Sequence, residues 1–129
     1  MLYMSLLKRK FYKCSFEVKI QLFLSYCMNI YCVSLWSNCG MSSLNRMKIM
    51  YNNAFRILMG FNARCSASTL FVKNNVRSFY EMRRNSMYSL FKRLRESDNQ
   101  LVCTILSSDL WYNSSLLKNW YNEIFVNFN

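Results

Sequence analysis

The fold is decided by one stretch of the sequence, residues 43–60, which is SLNRMKIMYNNAFRILMG. At 100° per residue its apolar side chains fall in one arc of about 160°, and most of its polar and basic side chains fill the opposite arc. Ser42 precedes the pattern and Gly60 follows it, which is typical of a helix entered at a serine and closed by a C′ glycine. The stretch therefore predicts an amphipathic helix over residues 43–59. Its apolar arc holds Leu44, Met47, Met50, Tyr51, Ala54, Phe55, Ile57 and Leu58.

Five further segments of the chain carry helical patterns. They are residues 16–35, 66–72, 76–96, 101–106 and 116–125. Ser15 and Ser66 stand where N-caps of the first two would lie, and Asn74-Asn75 interrupts the pattern before the longest one. Proline is absent and glycine occurs twice, which disfavours a many-stranded β fold. The sequence predicts an all-α fold, a small bundle of five to six helices. Its expected core is Leu22, Phe23, Tyr26, Tyr31, Leu35, Trp36, Tyr51, Phe55 and Leu58.

The cysteines and the N-terminus indicate the compartment. None of the six cysteines forms a C-x-x-C pair, and the chain has no histidine with which to complete a zinc site. The first basic residues follow a short apolar run, the reverse of the order in a secretory signal. We therefore expect reduced thiols in an intracellular protein, nuclear or cytoplasmic, that is not secreted.

Residues 20–45 carry no charge, which raises the question of a membrane span. The segment contains nine polar side chains of serine, asparagine and glutamine, and its most apolar part, residues 22–36, is shorter than the roughly 20 residues that a span needs. The pattern favours a buried helix over a membrane span, and we expect no membrane partner.

Net charge is +11 and is concentrated in the middle of the chain. Residues 42–95 hold eleven basic side chains and one acidic side chain, whereas residues 96–129 are net negative. If residues 76–96 are helical, then Arg77, Arg84 and Arg95 lie within about 20° of one another, with Tyr88 alongside. Such a ridge suits a phosphate backbone. The alternative is a solvated face on which Glu81 pairs with the arginines at i−4 and i+3.

Arg83 projects into the apolar arc of the same predicted helix. Either its stem reaches the edge of that arc, or its guanidinium pairs with a partner outside this sequence.

The sequence offers no complete active site. Its six carboxylates are not clustered as two-metal nucleotidyl transfer requires, and no histidine can serve as a base. No spacing supports a Ser–Lys pair. We expect no catalysis by the chain alone, no bound metal or other cofactor, and no small-molecule substrate.

Several segments together resemble one protein family. Residues 6–19, LLKRKFYKCSFEVK, lead into LFLSYC at 22–27 and IYCVSLW at 30–36. YNNAFRILMG at 51–60, RCSAS at 64–68 and Phe71-Val72 follow in order. This order resembles the region just downstream of the catalytic domain in reverse transcriptases of non-LTR (LINE-type) retrotransposons. The resemblance covers about residues 5–106. Asn62 stands where the family pattern has a proline, and Ala63 replaces a usually basic position.

The resemblance implies a division and a function. Residues 1–106 would be a thumb-like helical region, and residues 107–129 a C-terminal amphipathic helix. The chain would be a C-terminal fragment of an RNA-directed DNA polymerase that binds RNA or RNA–DNA duplex backbone. The palm and fingers domains, with their Mg²⁺, would be missing partners. The predicted backbone contacts are Arg77, Arg84, Arg95, Arg46, Lys48, Arg56 and Arg64.

Two alternatives remain open. The chain could be an inert or structural transposon relic that needs a missing partner domain, as the apolar first helix and Arg83 suggest. It could also be a membrane-associated basic helical protein.

Overall fold

In the computed structural model, residues 2–27 and 33–126 are described, and within these ranges the regular secondary structure is entirely helical. The predicted all-α fold is confirmed, with eight α-helices in the described ranges rather than five or six. They are α1 (Leu2–Lys10), α2 (Phe16–Cys27), α3 (Met41–Met59), α4 (Ala67–Lys73), α5 (Phe79–Arg95), α6 (Gln100–Leu106), α7 (Asp109–Asn113) and α8 (Ser115–Tyr121). A 3₁₀ segment spans Val33–Asn38, and a π turn spans Asn122–Val126.

Contacts divide the chain into two compact units. The N-terminal unit consists of Met1–Tyr31 and Gly40–Tyr80, and the C-terminal unit consists of Cys32–Cys39 and Glu81–Asn129. These units do not coincide with the predicted division at residue 106, which was placed where the family resemblance ends.

The N-terminal unit is built around α3, against which α1 and α2 both pack. Aromatic rings join α2 to α3, because Phe23 lies 4.9 Å from Phe55 and 5.0 Å from Tyr51 between ring centroids. Phe16, at the start of α2, contacts Phe61 just beyond the end of α3 at 6.0 Å. The two helices are therefore antiparallel.

Helix α3 ends at Met59 as predicted but begins two residues before the predicted start at Ser43. It starts at Met41 with Gly40 at the N-cap, where no side chain caps the helix. Gly60 closes it at φ 78°, in the left-handed region, and the turn is held by hydrogen bonds back to Arg56 and Ile57. The buried face is narrower than the predicted arc, since Met50 is exposed.

Helix α4 extends the aromatic core of the N-terminal unit. The hydroxyl of Ser66 accepts a hydrogen bond from the amide of Thr69, which confirms the predicted cap. Phe71 is buried 4.9 Å from Phe55. Asn75 then adopts φ 51°, a conformation that asparagine tolerates, and the chain stays non-helical until Phe79. The long helix therefore starts three residues later than the predicted start at Val76.

The C-terminal unit has its core between α5 and α8. Met87, Trp120 and Ile124 are buried together, with Leu90, Phe91, Leu94, Trp111 and Leu116 packed around them. The indole Nε1 of Trp120 donates a hydrogen bond of 2.7 Å to the carbonyl of Ser34, which ties the 3₁₀ segment to this core.

The predicted first helix over residues 16–35 is wrong in extent, because Val33–Asn38 is a 3₁₀ segment. Residues 28–32 lie outside the described ranges, and with them the predicted core residue Tyr31. Tyr26 and Leu35 were also predicted to be core, and both are about half exposed. No helix in the described ranges has the length and apolar character needed to cross a bilayer.

Candidate nucleic-acid interface

Almost all of the excess charge belongs to the N-terminal unit. That unit holds eleven basic residues and one carboxylate, Glu17, for a net charge of +10. The C-terminal unit holds six basic and five acidic residues, for a net charge of +1. The sequence analysis placed the excess charge in residues 42–95, a range that includes parts of both units. The structure instead places it in the N-terminal unit. The eleven basic residues are Lys8, Arg9, Lys10, Lys13, Lys19, Arg46, Lys48, Arg56, Arg64, Lys73 and Arg77.

One group of polar side chains assembles where the start of α5 meets α3. The Lys48 ammonium lies 5.0 Å from the centroid of the Tyr80 ring, within the range of a cation–π contact. The Tyr80 hydroxyl donates to Asn45 Oδ1 at 3.2 Å, and the Tyr51 hydroxyl donates to the carbonyl of Arg77 at 2.9 Å. Lys48 and the exposed Arg77 are thus anchored to the same stretch of α3.

A second basic region lies at the other end of α3. Arg56 Nε donates to the carbonyl of Cys65 at 3.0 Å, and its Nη1 donates to Asn53 Oδ1 at 3.0 Å. These bonds fix the loop that carries the exposed Arg64, whose amide also bonds to Asn62 Oδ1. Arg56 and Arg64 were both predicted to contact the sugar–phosphate backbone of a nucleic acid. In the structure Arg56 positions the loop, and Arg64 is the cation that the loop exposes.

The N-terminal basic run was missed as a candidate. Lys8, Arg9 and Lys10 are exposed at the end of α1, and the exposed Lys13 follows in the turn before α2. Because Phe16 contacts Phe61, this turn lies near the same end of α3 as the Arg64 loop. The run of basic residues could have indicated this surface, but in the sequence analysis it counted only as part of the family resemblance.

The predicted ridge of three arginines on one helix is wrong. Arg77 precedes α5, in the non-helical stretch that follows Asn75, and it belongs to the N-terminal unit. Arg84 and Arg95 lie on α5 in the nearly neutral C-terminal unit. Arg84 is half-buried, and Arg95 lies 5.7 Å from the Phe91 ring. The helical geometry that aligned all three required a helix start at Val76.

Arg83 has its partner within the chain, which corrects the expectation that the partner lies outside this sequence. Its Nη1 lies 2.7 Å from Glu123 Oε1, and its Nη2 lies 3.5 Å from the carbonyl oxygen of Trp36. The whole Arg83 side chain is 2% exposed, so its stem does not carry the guanidinium to the edge of the apolar face.

The carboxylates of the molecule are dispersed. Glu17 lies at the start of α2, where hydrogen bonds from its own backbone and from Ser15 hold its pKa below the usual value. Glu123 pairs with Arg83, and Glu96 pairs with Lys92 at 3.8 Å on the surface. No group of three or more potential metal ligands occurs in residues 2–27 and 33–126.

Comparisons of this chain with protein-family models, with curated proteins and with solved structures found no match.

Proposed function

We propose that the N-terminal unit binds the sugar–phosphate backbone of RNA or of an RNA–DNA duplex and that the chain has no catalytic activity by itself. The observation that carries this proposal is the charge of the unit, where eleven of twelve charged side chains are basic. Nine of the eleven are exposed, and cations on a nucleic acid release condensed counterions from its phosphates.

The resemblance to non-LTR retrotransposon reverse transcriptases supports the choice of nucleic acid. Most of the segments that carry the resemblance, including residues 6–19, 51–60 and 64–68, fall in the N-terminal unit. In that family the corresponding helices follow the palm and would hold the primer–template duplex. We therefore propose that the chain derives from such an RNA-directed DNA polymerase and acts inside the cell, in the nucleus or the cytoplasm.

The proposed contacts fall into two groups within the N-terminal unit. Lys48 and Arg77 form one contact group with Tyr80 between α3 and α5, and Arg64 with the α1 basic run forms the other. Arg46 is exposed on α3 and adds to this surface. Arg84 and Arg95, in the nearly neutral unit, are not part of this proposed interface.

The test is the salt dependence of binding to a labelled RNA–DNA duplex, followed by fluorescence anisotropy. The logarithm of the affinity should fall linearly with the logarithm of salt concentration. The double variant Lys48→Gln/Arg77→Gln should reduce the steepness of this line by about 2, because each lost cation removes nearly one released counterion. The charge-matched control is Lys92→Gln/Arg93→Gln in the C-terminal unit, which should leave the slope unchanged.

Three outcomes would contradict the proposal. An affinity that is the same at 50 and 200 mM salt would remove the phosphate contacts altogether, since phosphate-directed binding changes by orders of magnitude over about this range. Equal losses in the test and control variants would show that the charge acts without a defined surface. Flotation with anionic vesicles in place of duplex binding would favour the membrane-associated alternative.

The alternative of an inert transposon relic was based on the apolar first helix and on Arg83. The second of these observations no longer supports it, since Arg83 is paired within the chain.

A further inference from the structure

The C-terminal unit contains a groove that the proposed duplex interface does not use. Its volume is about 680 Å³, within the range of roughly 300–1,000 Å³ typical of small-ligand sites. Four aromatic side chains and two cations line it: Phe91, Trp111, Tyr112, Tyr121, Arg95 and Lys118. Helices α5, α7 and α8 supply these side chains.

The aromatic wall of the groove is backed by the core of the unit. Trp111 packs edge-on against the buried Trp120, with ring centroids 6.1 Å apart. The hydrogen bond from Trp120 to Ser34 fixes that second ring in turn. The Trp111 ring is therefore held in place before a ligand binds, and little conformational entropy of this side chain is lost on binding.

The charge of the groove is positive, although the unit as a whole is nearly neutral. Arg95 is exposed, and its guanidinium lies 5.7 Å from the Phe91 ring. Lys118 is exposed on α8. None of the residues that line the groove, all of which are described, carries a carboxylate. The carboxylate of Glu96, next to Arg95 in sequence, is paired with Lys92.

We propose that this groove binds one nucleotide unit, with the base against the aromatic wall and the phosphate on Arg95 and Lys118. Aromatic rings and arginine planes accept the face of any base, and the two cations match the charge of a phosphate. A purely apolar ligand would leave both cations without a counter-charge, and inorganic phosphate would leave the aromatic wall unused. The base must be unpaired, because a duplex keeps its base faces stacked.

This inference is independent of the proposed duplex binding, since it concerns side chains of the other unit. Its ligand chemistry has two sources, a free nucleotide and an unpaired nucleotide within a strand. The experiment therefore compares adenosine monophosphate with a single-stranded oligoadenylate.

The readout is the tryptophan indole region of a proton–nitrogen correlation spectrum. The chain has three tryptophans, and the Trp111→Phe variant assigns the signal of the groove. Adenosine monophosphate should shift the Trp111 signal saturably. Adenosine and inorganic phosphate should each bind at least tenfold more weakly, because each makes one half of the contacts. If the oligoadenylate binds at least tenfold more tightly than the monophosphate, the source is a strand, and otherwise it is the free nucleotide.

The variants change exposed side chains, so each should retain the dispersed spectrum of the wild type. Arg95→Gln/Lys118→Gln should weaken binding of adenosine monophosphate by about tenfold or more, whereas Lys92→Gln/Arg93→Gln, with the same loss of charge, should not. Tyr112→Ala should weaken binding by about fivefold or more, whereas Tyr12→Ala, an equally exposed tyrosine of the N-terminal unit, should have no effect. Equal affinity for the monophosphate and inorganic phosphate, equal losses in test and control variants, or a Trp111 signal that no nucleotide moves would overturn the proposal.

Discussion

Arg83 and Glu123 form an ion pair with 2.7 Å between Nη1 and Oε1, and it joins α5 to the π turn that follows α8. Arg83 is 2% exposed and Glu123 is 28% exposed. The Nε of Arg83 has no hydrogen-bond partner among the described residues. Arg83 is therefore buried and incompletely satisfied, Glu123 is half-buried, and the pair connects segments that are distant in sequence. Removing one partner should be costly, because the other charge is then left in the interior.

The first prediction concerns the loss of that pairing. Glu123→Gln should lower the free energy of unfolding by about 3 kcal/mol, since the Arg83 guanidinium loses its counter-charge while the side-chain shape is kept. Urea unfolding followed by circular dichroism measures this loss. The control is Glu96→Gln, which removes an exposed partner of Lys92 and should change stability by less than about 1 kcal/mol. A Glu123→Gln loss as small as that of the control would show that the pair contributes nothing.

Replacing both partners of the ion pair by apolar residues should lower the free energy of unfolding less than removing one partner does. Arg83→Met/Glu123→Leu removes both charges together with the unpartnered Nε. We expect this double variant to recover most of the stability that Glu123→Gln loses. A double variant less stable than Glu123→Gln would show that the ion pair holds the π turn in a way that apolar contacts do not replace.

The second prediction concerns the two glycines that flank α3. Gly60→Ala should destabilise the protein by about 1 kcal/mol, because φ 78° places a Cβ in the left-handed region. Gly40 has φ −59°, and a Cβ there would meet nothing within 4 Å. Gly40→Ala is thus the matched control, with an expected change within about 0.5 kcal/mol. A Cβ at Gly60 also meets nothing within 4 Å, so the difference between the two variants in thermal unfolding measures the backbone strain alone. Equal effects would contradict the left-handed closure of α3.

The third prediction compares neighbouring residues on α4. Phe71 is 3% exposed and contacts the rings of Phe55 and Tyr51, whereas Val72 is 83% exposed. Phe71→Ala should cost about 3–5 kcal/mol, because it opens a cavity in the aromatic core of the N-terminal unit. Val72→Ala should change stability by less than about 0.5 kcal/mol. Denaturant midpoints give both values, and a reversed order would mean that α4 packs through its other face.

The fourth prediction concerns thiol chemistry. Burial raises the pKa of the Cys27 thiol from 9.0 to about 11, whereas Cys103 is exposed. Roughly one Cys27 in a thousand is then a thiolate at pH 8, so iodoacetamide should modify Cys103 long before Cys27. Mass spectrometry of timed samples measures both rates. Comparable rates in the native protein would contradict the burial of Cys27.

The same pKa predicts a dependence of stability on pH. The folded state holds the Cys27 proton more tightly than the unfolded chain does, so this contribution is fully present below about pH 9. It should be lost as the pH rises from 9 toward 11. Wild type should therefore lose more stability over this range than Cys27→Ala does, and parallel losses would contradict the raised pKa.

The sequence predicted α3, α4 and α6 to within two residues at each end, whereas it indicated no helix at α1 or α7. Helix α3 was predicted to within two residues because five turns of amphipathic pattern end at a glycine. Helices α1 and α7 have nine and five residues, too few for a periodicity to stand out. The start of α5 was misplaced because Val76, apolar and buried, fits a helical face as well as it fits the loop that Asn75 creates.

The candidate interface was predicted in composition but not in arrangement. Lys48 and Arg64 were named from their charge, and Arg77 was named from a helical alignment that the structure does not show. All three fall in the strongly basic unit. The contacts that group them, such as Tyr80 with Lys48, depend on which helices meet, and no periodicity specifies that. The partner of Arg83 was missed for the same reason, since Glu123 lies at the far end of the unit in sequence.

The path of the chain sets the order in which its parts can be completed during synthesis. Residues 33–39 belong to the C-terminal unit, although they emerge between two pieces of the N-terminal unit. The carbonyl of Ser34 can accept its hydrogen bond only after Trp120 has been synthesised, and that of Trp36 only after Arg83 has been synthesised. The N-terminal unit, in contrast, is complete once Tyr80 has left the ribosome. No single cut of the polypeptide can therefore release both units whole. A fragment that ends at Tyr80 carries away the acceptors that the second half requires.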